Sequence, residues 1–581
     1  MKSSSDSGGG TGYGRPGVSR RPKAGPPAIK PVSASASAES VGRFLCPIVA
    51  LVGLVLLGFA ASPSFAVDTV TNTVDGGVGS LREVVSHPGA SSINFAVTGK
   101  ITLTSGAITI GHTLTIGGPG ATNLAVSGNN SSPIFRIPPG VTVVISNVTI
   151  MEGRNAGSDG LNRSGSCNGI FQNWTDATDG GLAEGGAIIN SGVLRLYFCM
   201  VASNAVSGGK GGSGDGTIPS GTSCCGNPLG CLSTGNPGNG GDCHGGAIYS
   251  DGTLVLLGCT FANNSATAGN GGRTTGSHPG GNGGSAYGGA VYNAGQFSAA
   301  NCTFGGNSAA GGQPGGSYSG YANGGDGIGG AIENAGSATS VVSSCTISGN
   351  STAGGNVGLC TCDGKGHGGG MDNENSAFNA VQIVTTIVSG NSGESGYPPT
   401  DSLLYPDVAG FYDSLGFNLI DRTDGSSGWI SSDLTGSNSQ RKDPLLGPSQ
   451  MNGGPTPTRL PQTNSPAINK GMNVGQTTDQ RGLPRTVNLA GYVNQPGGDY
   501  TDIGAVELQS PPPTALDIGL RVFDGTSVLQ IACTNASAAT PFRIAKNGTI
   551  YGVVLTSTNA TDASKIRIKT SSGVKAWAKL P

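Results

Sequence analysis

A unit that opens on a Gly-Gly pair and closes on an Asn recurs five times in the middle of this 581-residue chain. Each unit takes about 20 residues, although successive units start about 40 to 60 residues apart. Three short strands in about 20 residues make one coil of a β-solenoid, so the remaining glycine-rich residues are predicted to be loops that project from one corner. The units start at Gly185-Gly-Ala-Ile-Ile-Asn190, Gly245-Gly-Ala-Ile-Tyr-Ser250, Gly288-Gly-Ala-Val-Tyr-Asn293, Gly329-Gly-Ala-Ile-Glu-Asn334 and Gly368-Gly-Gly-Met-Asp-Asn373.

Apolar and polar residues alternate within each unit, which assigns one face of every strand to the core. We therefore predict an all-β fold, a right-handed parallel β-helix over residues 67–430, in which stacking aligns equivalent side chains. Recurrent cysteine is interpreted as a small buried hydrophobe. The predicted columns are Cys199, Cys259, Cys302 and Cys345, a structural ladder of Asn204, Asn264, Asn307, Asn350 and Asn391, and a second ladder of Asn190, Ser250, Asn293, Asn334 and Asn373.

Residues 67 to about 155 carry denser alternating segments, such as Ile101-Thr-Leu103, which predict the first coils of the same solenoid. Ser80 followed by Glu83 forms a capping box that predicts a short helix. An open end of a solenoid exposes apolar columns and unpaired strand edges, so we expect this helix to cap the N-terminal end.

The N-terminal region carries features of an export signal. Residues 1–43 are rich in Gly, Ser and Pro, and they predict a disordered polar leader. Residues 44–66 join an apolar run to Ser64-Phe-Ala66, which places small residues at the first and third positions of a cleavage site. The segment is therefore a signal peptide or an uncleaved membrane anchor, and both alternatives predict a secreted or cell-surface protein.

The 13 cysteines fit an oxidising compartment. Four of them lie in one glycine-rich segment, where the alternatives are disulfides or a zinc site helped by His244. The spacing matches no standard zinc pattern, which favours disulfides. The disulfide candidates are Cys224, Cys225, Cys231, Cys243, Cys360 and Cys362.

Charge restricts the partners that the chain can take. The formal net charge is -2 and only 11% of residues are charged, so the chain has no basic surface of the kind that binds nucleic acid. Glycine is abundant, with 105 residues, but no strict Gly-X-Y period is present, which excludes collagen.

Several segments resemble known bacterial families. The Gly-Gly-Ala-Ile starts, together with Phe261-Ala-Asn-Asn264, resemble the repeats of chlamydial polymorphic outer-membrane proteins. The segment from Val70-Thr-Asn72 to Gly79-Ser-Leu-Arg82 resembles the start of bacterial exported β-helix proteins. This resemblance implies a location at the bacterial outer membrane or outside the cell, with adhesion or display as the function. Polymorphic proteins end in an outer-membrane β-barrel, a feature that the pattern of this chain lacks.

Residues 431–510 resemble the choice-of-anchor module that follows such helices, and they are predicted to complete or cap the helix. Pro511-Pro-Pro513 then forms a stiff linker, and residues 511–581 are predicted to hold a small β domain. The anchor resemblance rests on Asp443-Pro-Leu-Leu446, Asn452-Gly-Gly-Pro-Thr456, Ser465-Pro-Ala-Ile468, Thr478-Asp-Gln-Arg-Gly482 and Asp502-Ile-Gly-Ala-Val-Glu507.

Right-handed β-helices also include pectate lyases and polygalacturonases, whose sites need clustered acidic residues. Gly366-His-Gly368 and Arg567-Ile-Lys569 match two polygalacturonase-like motifs, but Asn-Thr-Asp and Asp-Asp motifs do not occur. Glu333 and Asp372 share an outward position on adjacent coils, where they form either a weak calcium site or two solvated carboxylates. No cofactor other than calcium is predicted.

The sequence therefore favours a non-enzymatic adhesion or display scaffold that binds extracellular glycans or other cell-surface components. One alternative is a polysaccharide-active enzyme, a pectate-lyase-like protein before a glycoside hydrolase. The other alternative is a structural envelope protein.

Overall fold

The computed structural model describes residues 67–168, 171–215, 235–274, 279–316, 322–356, 363–394 and 405–509, and a series of strands beyond residue 519. The chain divides into two compact units, Met1–Gly58 and Phe59–Pro581. Both the predicted leader and the apolar segment at 44–66 lie outside the described residues. Within the described part, no helix has the length and apolar character needed to cross a membrane.

Each repeating coil passes through five sheets of parallel strands, which we call E, C, A, B and D in the order of the chain. In one coil the five strands are Cys243–His244, Ile248–Ser250, Thr253–Leu257, Thr260–Ala262 and Ser265–Thr267. The predicted three strands per coil correspond to sheets C, A and B. Sheets D and E lie within residues that were predicted to be loops, because their strands of two or three residues carry too little periodicity to be recognised.

The strand bounds, in chain order, are as follows. Sheet A holds β1 Val67–Val70, β2 Ser92–Phe95, β5 Leu114–Gly117, β8 Thr142–Ser146, β15 Val193–Tyr197, β20 Thr253–Leu257, β25 Gln296–Ala300, β30 Thr339–Ser343, β35 Val381–Val384 and β39 Asp413–Gly416. Sheet B holds β3 Gly99–Thr102, β6 Leu124–Ser127, β9 Thr149–Met151, β16 Met200–Ala202, β21 Thr260–Ala262, β26 Thr303–Gly305, β31 Thr346–Ser348, β36 Ile387–Ser389, β40 Leu419–Ile420 and β42 Leu434–Thr435. Sheet C holds β4 Ile108–Thr109, β7 Phe135–Ile137, β14 Ile188–Asn190, β19 Ile248–Ser250, β24 Val291–Asn293, β29 Ile332–Asn334, β34 Met371–Asn373, β38 Val408–Phe411 and β41 Ser426–Ser427. Sheet D holds β10 Arg154–Ala156, β17 Ala205–Ser207, β22 Ser265–Thr267, β27 Ser308–Ala310, β32 Ser351–Ala353 and β37 Ser392–Glu394, and sheet E holds β13 Ala183–Glu184, β18 Cys243–His244, β23 Ala286–Tyr287, β28 Gly327–Ile328 and β33 Gly366–His367.

Equivalent residues of successive coils pair in register. In sheet C, Ile188 pairs with Ile248, Ile248 with Val291, and Val291 with Ile332. The predicted alignment of inward residues is therefore correct for these strands. Stacked sheets that are parallel throughout are the arrangement expected of a parallel β-helix.

Two cores fill the coil. The large core lies inside sheets A, B and C, where residues such as Leu254, Phe261 and Phe304 are fully or almost fully buried. A second, small core contains Ala266 and Cys243, among other residues of sheets D and E. Because these side chains are small, sheets D and E lie close together and form a narrow extension of the coil.

Within the described residues, a short helix, α1 (Leu81–Val85), lies near the N-terminal strands. The side chain of Ser80 accepts a hydrogen bond from the Glu83 amide, which is the N-cap contact that the sequence predicted. Leu81, Val84 and Val85 are buried and belong to the large core.

The glycine-rich segments are not projecting loops where the structure describes them. They form two packed layers, one of runs that leave sheet D and one of runs that return to sheet E. Backbone hydrogen bonds alternate between the layers: Gly269 donates to Gly241 at 2.8 Å, Gly284 to Gly269 at 2.9 Å, and Gly312 to Gly284 at 2.8 Å. The outgoing runs are 157–163, 208–215, 268–274, 311–316 and 354–356, and the returning runs are 178–182, 235–242, 279–285, 322–326 and 363–365.

Glycine is required because the layers touch through their backbones. A Cβ at Gly271 would lie 1.9 Å from the carbonyl oxygen of Gly281 in the opposite layer, and a Cβ at Gly283 would lie 1.9 Å from that of Gly312. Within a run, buried positions such as 209 and 212 are separated by three residues, as in the three-residue turn of polyproline II. We call this two-layer assembly the glycine plate.

Polar side chains on the outer faces of the plate bind the neighbouring coil. The Asn239 side-chain oxygen accepts from the Asn282 amide at 2.9 Å, and the Asn282 oxygen accepts from the Asn323 amide at 2.9 Å. Asp242 accepts from the Ser285 amide in the same way, at 2.6 Å. In the three-residue period of each run, the outward residue is therefore commonly Asn, Asp or Ser. Its side chain accepts a hydrogen bond from a backbone amide of the neighbouring run that no backbone carbonyl reaches.

Residues 437–509 lie along the outer side of sheet B. Gln480 donates to Thr260 at 2.8 Å and accepts from Thr303 at 2.6 Å, so it links two coils. Farther along, the Ala505 amide donates to Thr346 at 3.0 Å. The segment contacts successive coils along the stack, which differs from a plug at one end.

The remaining strands pair in antiparallel fashion. A hairpin of β11 (Ser164–Asn168) and β12 (Phe171–Thr175) extends from the first glycine run. Beyond residue 519, β43 (Leu520–Phe523) pairs with β44 (Val528–Ile531). A four-stranded sheet holds β45 (Phe542–Lys546), β46 (Thr549–Val554), β47 (Ile566–Thr570) and β48 (Gly573–Ala578).

Candidate functional site

Outward side chains of sheets E and C meet in a groove that follows the stack of coils. His244 stacks on Tyr292 with ring centroids 4.3 Å apart and planes 8° apart. Tyr287 meets the same tyrosine edge-on at 6.1 Å. Side chains that leave the outer faces of two sheets touch only where those faces converge, so the corner between E and C is concave. We define the E–C groove by Glu184, His244, Tyr287 and His367 from sheet E and by Tyr249, Tyr292, Glu333 and Asp372 from sheet C.

The Gly-Gly pairs form this corner. Gly245 has a φ of +69°, which L side chains rarely adopt. A Cβ there would also lie 2.1 Å from the carbonyl oxygen of Ile248. The chain can therefore turn sharply from sheet E into sheet C only with glycine at this position.

One part of the groove is lined by stacked rings. Tyr249 and Tyr292 occupy the same position on neighbouring coils, with centroids 5.6 Å apart and planes 10° apart. His244 also stacks on Tyr249 at 6.2 Å. The three rings are only partly buried, so they present a continuous aromatic surface across two coils.

The next part of the groove is acidic. Glu333 pairs in register with Tyr292 on one side and with Asp372 on the other. Both residues were predicted to be outward, and they are, but they are not solvated: Glu333 is 0% and Asp372 is 8% exposed. The interpretation as two solvated carboxylates was therefore wrong, because it placed them on a convex surface, whereas the concave corner covers them.

Burial controls the charge of these acids. Burial, with the nearby Glu374 carboxylate as the second contributor, raises the pKa of Asp372 to about 7. Burial, followed by Asp372 and Glu374, raises the pKa of Glu333 well above its usual value. Among the described residues, neither carboxyl oxygen of Glu333 has a hydrogen-bond partner. Burial therefore favours the neutral form of Glu333, whose two carboxyl oxygens are left unpaired by the described residues inside the corner.

The histidines and tyrosines of the groove are also kept neutral. Burial lowers the pKa of both His244 and His367. It raises the pKa of Tyr249 to about 12, with Glu184 and Asp251 adding to the effect. It raises the pKa of Tyr287 to about 12 as well, where Asp242 is the next contributor. The groove therefore offers rings and hydroxyl groups beside acids, and both of its imidazoles are uncharged.

Glu333 and Asp372 were also the weak candidates for a calcium site. They are neighbours, but within the described part of the chain no group of three or more His, Cys, Asp or Glu side chains could hold a metal ion. Two carboxyl groups on their own are fewer than the oxygen ligands that calcium takes.

The disulfide candidates fall mainly outside the described residues, which is the case for Cys224, Cys225, Cys231, Cys360 and Cys362. Cys243 is described, and it is a free, buried thiol in β18. The disulfide prediction differs from the structure at this residue, because its side chain lies in the small core. Alternation along β18 sends Cys243 and His244 to opposite faces, so they cannot share a zinc ion.

The cysteine column lies in the large core. Cys199, Cys259, Cys302 and Cys345 are all free and fully buried. Burial raises the pKa of the Cys199 and Cys302 thiols well above the usual value. Because solvent does not reach any of the four sulfur atoms, the column is a packing element of the core.

The asparagines of the first ladder hydrogen-bond to one another. Asn204 donates to Asn264 at 2.9 Å, Asn264 to Asn307 at 2.9 Å, Asn307 to Asn350 at 2.8 Å, and Asn350 to Asn391 at 2.9 Å. Each amide nitrogen also donates to a backbone carbonyl of the preceding coil, as Asn307 does to Phe261 at 3.0 Å.

The ladder ends on a carboxylate. Asn391 donates to Asp407 at 2.9 Å, and Asp407 in turn receives Arg422 at 2.8 Å. The side chain at the last position of the ladder only accepts hydrogen bonds, so aspartate can take the place of asparagine there. In the second ladder Asn293 donates to Asn334 at 2.8 Å and Asn334 to Asn373 at 3.0 Å.

The sheet E side of the groove was missed in the sequence. Its residues His244, Tyr287 and His367 immediately precede the Gly-Gly pairs. One sequence signal could have identified them. The two residues before each of these Gly-Gly pairs are a small residue followed by a large one, in Cys-His, Ala-Tyr, Gly-Ile and Gly-His. Gly366-His-Gly368 matches an enzyme motif, but that match does not indicate the position of His367 in the groove.

Comparisons with known proteins assign no family. No family model matches the chain, and no curated protein matches it. The crystal structure of jun a 1, the major allergen from cedar pollen, is similar with 14% sequence identity and a TM-score of 0.26, and the match covers 65% of this chain and 81% of that chain. The resemblances to polymorphic-protein repeats and to a choice-of-anchor module stay predictions.

Proposed function

We propose that the protein is a secreted or cell-surface scaffold that binds glycans along the E–C groove without chemical conversion. The observation that carries the proposal is the stack of Tyr249, Tyr292 and His244 along the coil axis. A tyrosine ring offers an apolar face and a polar tip, which suits a sugar ring with its C–H face and hydroxyl groups. A groove that continues across coils suits a polymer.

The finer predictions about architecture and location belong to the same proposal. The solenoid is right-handed, helix α1 closes its N-terminal end, and residues 431–510 act as an anchor-type module. Export depends on residues 44–66, and the chain acts at the bacterial outer membrane or outside the cell. The burial of Leu81 and Val84 in the large core supports the capping role of the helix.

A glycan array with the full chain tests the proposal. Tyr249→Ala and Tyr292→Ala are expected to lower binding of the recognised glycan at least tenfold, because each removes a stacking surface. Tyr197→Ala is the matched control, since Tyr197 occupies a partly exposed position of sheet A. Absence of any glycan ligand would overturn the proposal and favour the structural envelope protein. Equal losses in all three variants would exclude the groove as the binding site.

A polysaccharide-active enzyme is the second candidate, and one observation favours it. Glu333 and Asp372 are adjacent carboxyl groups with raised pKa values, as an acid catalyst requires. Their burial opposes it, because the glycosidic bond within a polymer chain cannot come into contact with the Glu333 side chain, which is 0% exposed. Incubation with polygalacturonate distinguishes the candidates: new reducing ends without product that absorbs in the ultraviolet, lost in Asp372→Asn, would establish a hydrolase, whereas unsaturated product formed with calcium at enzymatic rates would establish a lyase.

A further inference from the structure

The acids of the E–C groove greatly outnumber its basic groups. Glu374 follows Asp372 at the rim and is exposed, whereas Asp372 and Glu333 lie progressively deeper. At the opposite end Glu184 is partly exposed, and burial, followed by the nearby Asp251, raises its pKa. The groove therefore carries acids on both sides of its stacked rings.

Basic side chains lie only at the borders of the described groove. Arg136 occupies the sheet C position one coil before Ile189. Lys365 is exposed two residues before His367. Between these borders the outward positions of sheets E and C hold no Lys or Arg, and His244 and His367 are kept neutral by burial. The central part of the groove is thus suited to a cation.

Glu333 provides a second, independent indication of a ligand. Both of its carboxyl oxygens lack a hydrogen-bond partner among the described residues, although the residue is fully buried. Unsatisfied buried acceptors are destabilising, and a bound donor would relieve that penalty. The neighbouring ring of Tyr292 adds a surface that attracts organic cations.

We propose that the groove selects glycans that carry free, protonated amino groups. The ammonium group lies against the Tyr292 ring and donates hydrogen bonds to Asp372 and Glu374, with Glu333 beneath them. The sugar rings stack on Tyr249 and Tyr292. Carboxylated polymers such as polygalacturonate are repelled by the same acids. This inference rests on the proposed function, since it names the class of glycan that the groove binds.

Titration calorimetry with two matched oligosaccharides tests the selection. A glucosamine hexamer and an N-acetylglucosamine hexamer share a backbone but differ in charge. The full chain is expected to bind the amine form at least tenfold more tightly at low salt, and the preference is expected to shrink as salt is raised. A preference that is independent of salt would overturn the charge-based selection.

Variants assign the preference to the acids. Asp372→Asn and Glu374→Gln are each expected to reduce the tenfold preference to threefold or less, whereas Asp413→Asn in sheet A is the matched control and leaves it unchanged. Tyr292→Ala is expected to weaken both hexamers. Calcium that abolishes amine binding at millimolar concentration in the wild type, but not in Asp372→Asn, would overturn the inference in favour of a metal site.

The inference and the proposed function fail in different ways. Equal affinity for both hexamers, or tighter binding of a galacturonate hexamer, would overturn the amine selection and leave glycan binding in place. A lack of binding to all three oligosaccharides and to the glycan array would overturn both.

Discussion

Replacing Gly312 with alanine tests whether the glycine plate is a packed part of the fold. The added Cβ would lie 1.9 Å from the carbonyl oxygen of Gly269 and 2.6 Å from its carbonyl carbon, where real Cβ contacts below 3.0 Å essentially do not occur. These two neighbouring outgoing runs must therefore separate by about 1 Å, and such overpacking of a close-packed region is destabilising. The φ of Gly312 is compatible with alanine, so steric conflict alone produces the effect.

Two hydrogen bonds determine the magnitude. Gly284 of the returning run bridges the two outgoing runs, because Gly312 donates to it at 2.8 Å and it donates to Gly269 at 2.9 Å, so separation of the outgoing runs disrupts both bonds. Each loss costs about 1 kcal/mol, and more if the donor stays buried. Overpacking adds about 1–3 kcal/mol. We therefore expect Gly312→Ala to lower the free energy of unfolding of this region by about 3–5 kcal/mol.

Gly316→Ala is the matched control in the same run. Nothing lies within 4 Å of a Cβ at Gly316, and its φ is not in the left-handed region. The change is expected to be neutral or to stabilise by up to about 0.5 kcal/mol, since alanine restricts the unfolded chain.

Amide hydrogen exchange is the suitable assay, because a repeat protein can open one region at a time. Protection at Gly284 and Gly312 is expected to fall by a factor of about 100 or more in Gly312→Ala and to stay unchanged in Gly316→Ala. Equal protection in both variants would refute the packed plate, since projecting loops would accept alanine at either position.

Three further predictions concern the coils. Asn307→Ala removes two donated and two accepted hydrogen bonds of a fully buried side chain. We expect it to lower the free energy of unfolding, measured with denaturant, by about 3–5 kcal/mol. Gln296→Ala, at an exposed position of sheet A, is the control and should stay within about 0.5 kcal/mol of wild type. Asp372 binds its proton more tightly in the folded state, with a pKa of about 7 against 3.8, so stability is highest below about pH 4 and falls as the pH rises to about 7. Urea midpoints at pH 5 and pH 8 should therefore differ less in Asp372→Asn than in wild type, and an unchanged difference would contradict the assignment. Iodoacetamide should leave Cys302 unmodified in the native protein and should modify it in concentrated guanidinium, which peptide mass mapping detects. Modification of Cys302 in the native protein would show that the cysteine column opens to solvent.

Local chemistry made the coil columns predictable. The alternation of inward and outward residues along a strand, together with parallel stacking of the coils, is enough to assign inward or corner positions without knowledge of distant contacts. Ile248, Asn264 and Cys259 were assigned in this way. The N-cap at Ser80 is equally local. The sequence was sufficient where the structure depends on residues adjacent in the chain or on the equivalent residue of the next coil.

The groove and the plate depend on contacts that no local pattern contains. The burial of Glu333 follows from the concave corner beside sheet E, whose strands, such as Cys243–His244, are too short to carry a period. The glycine period was visible at Gly208, Gly209, Gly211 and Gly212, but these residues bond to other runs, so the sequence alone favoured a flexible loop.

The three-residue period of the plate limits how these runs can vary in length. An outgoing run and its returning partner can grow together by three residues, since the added turn presents glycine to the opposite layer and a polar side chain to water. An insertion of one or two residues would instead rotate a side chain into the space between backbones. Tolerated insertions and deletions in these runs should therefore come in matched multiples of three, and the coil beneath should keep its register whatever the number of added turns.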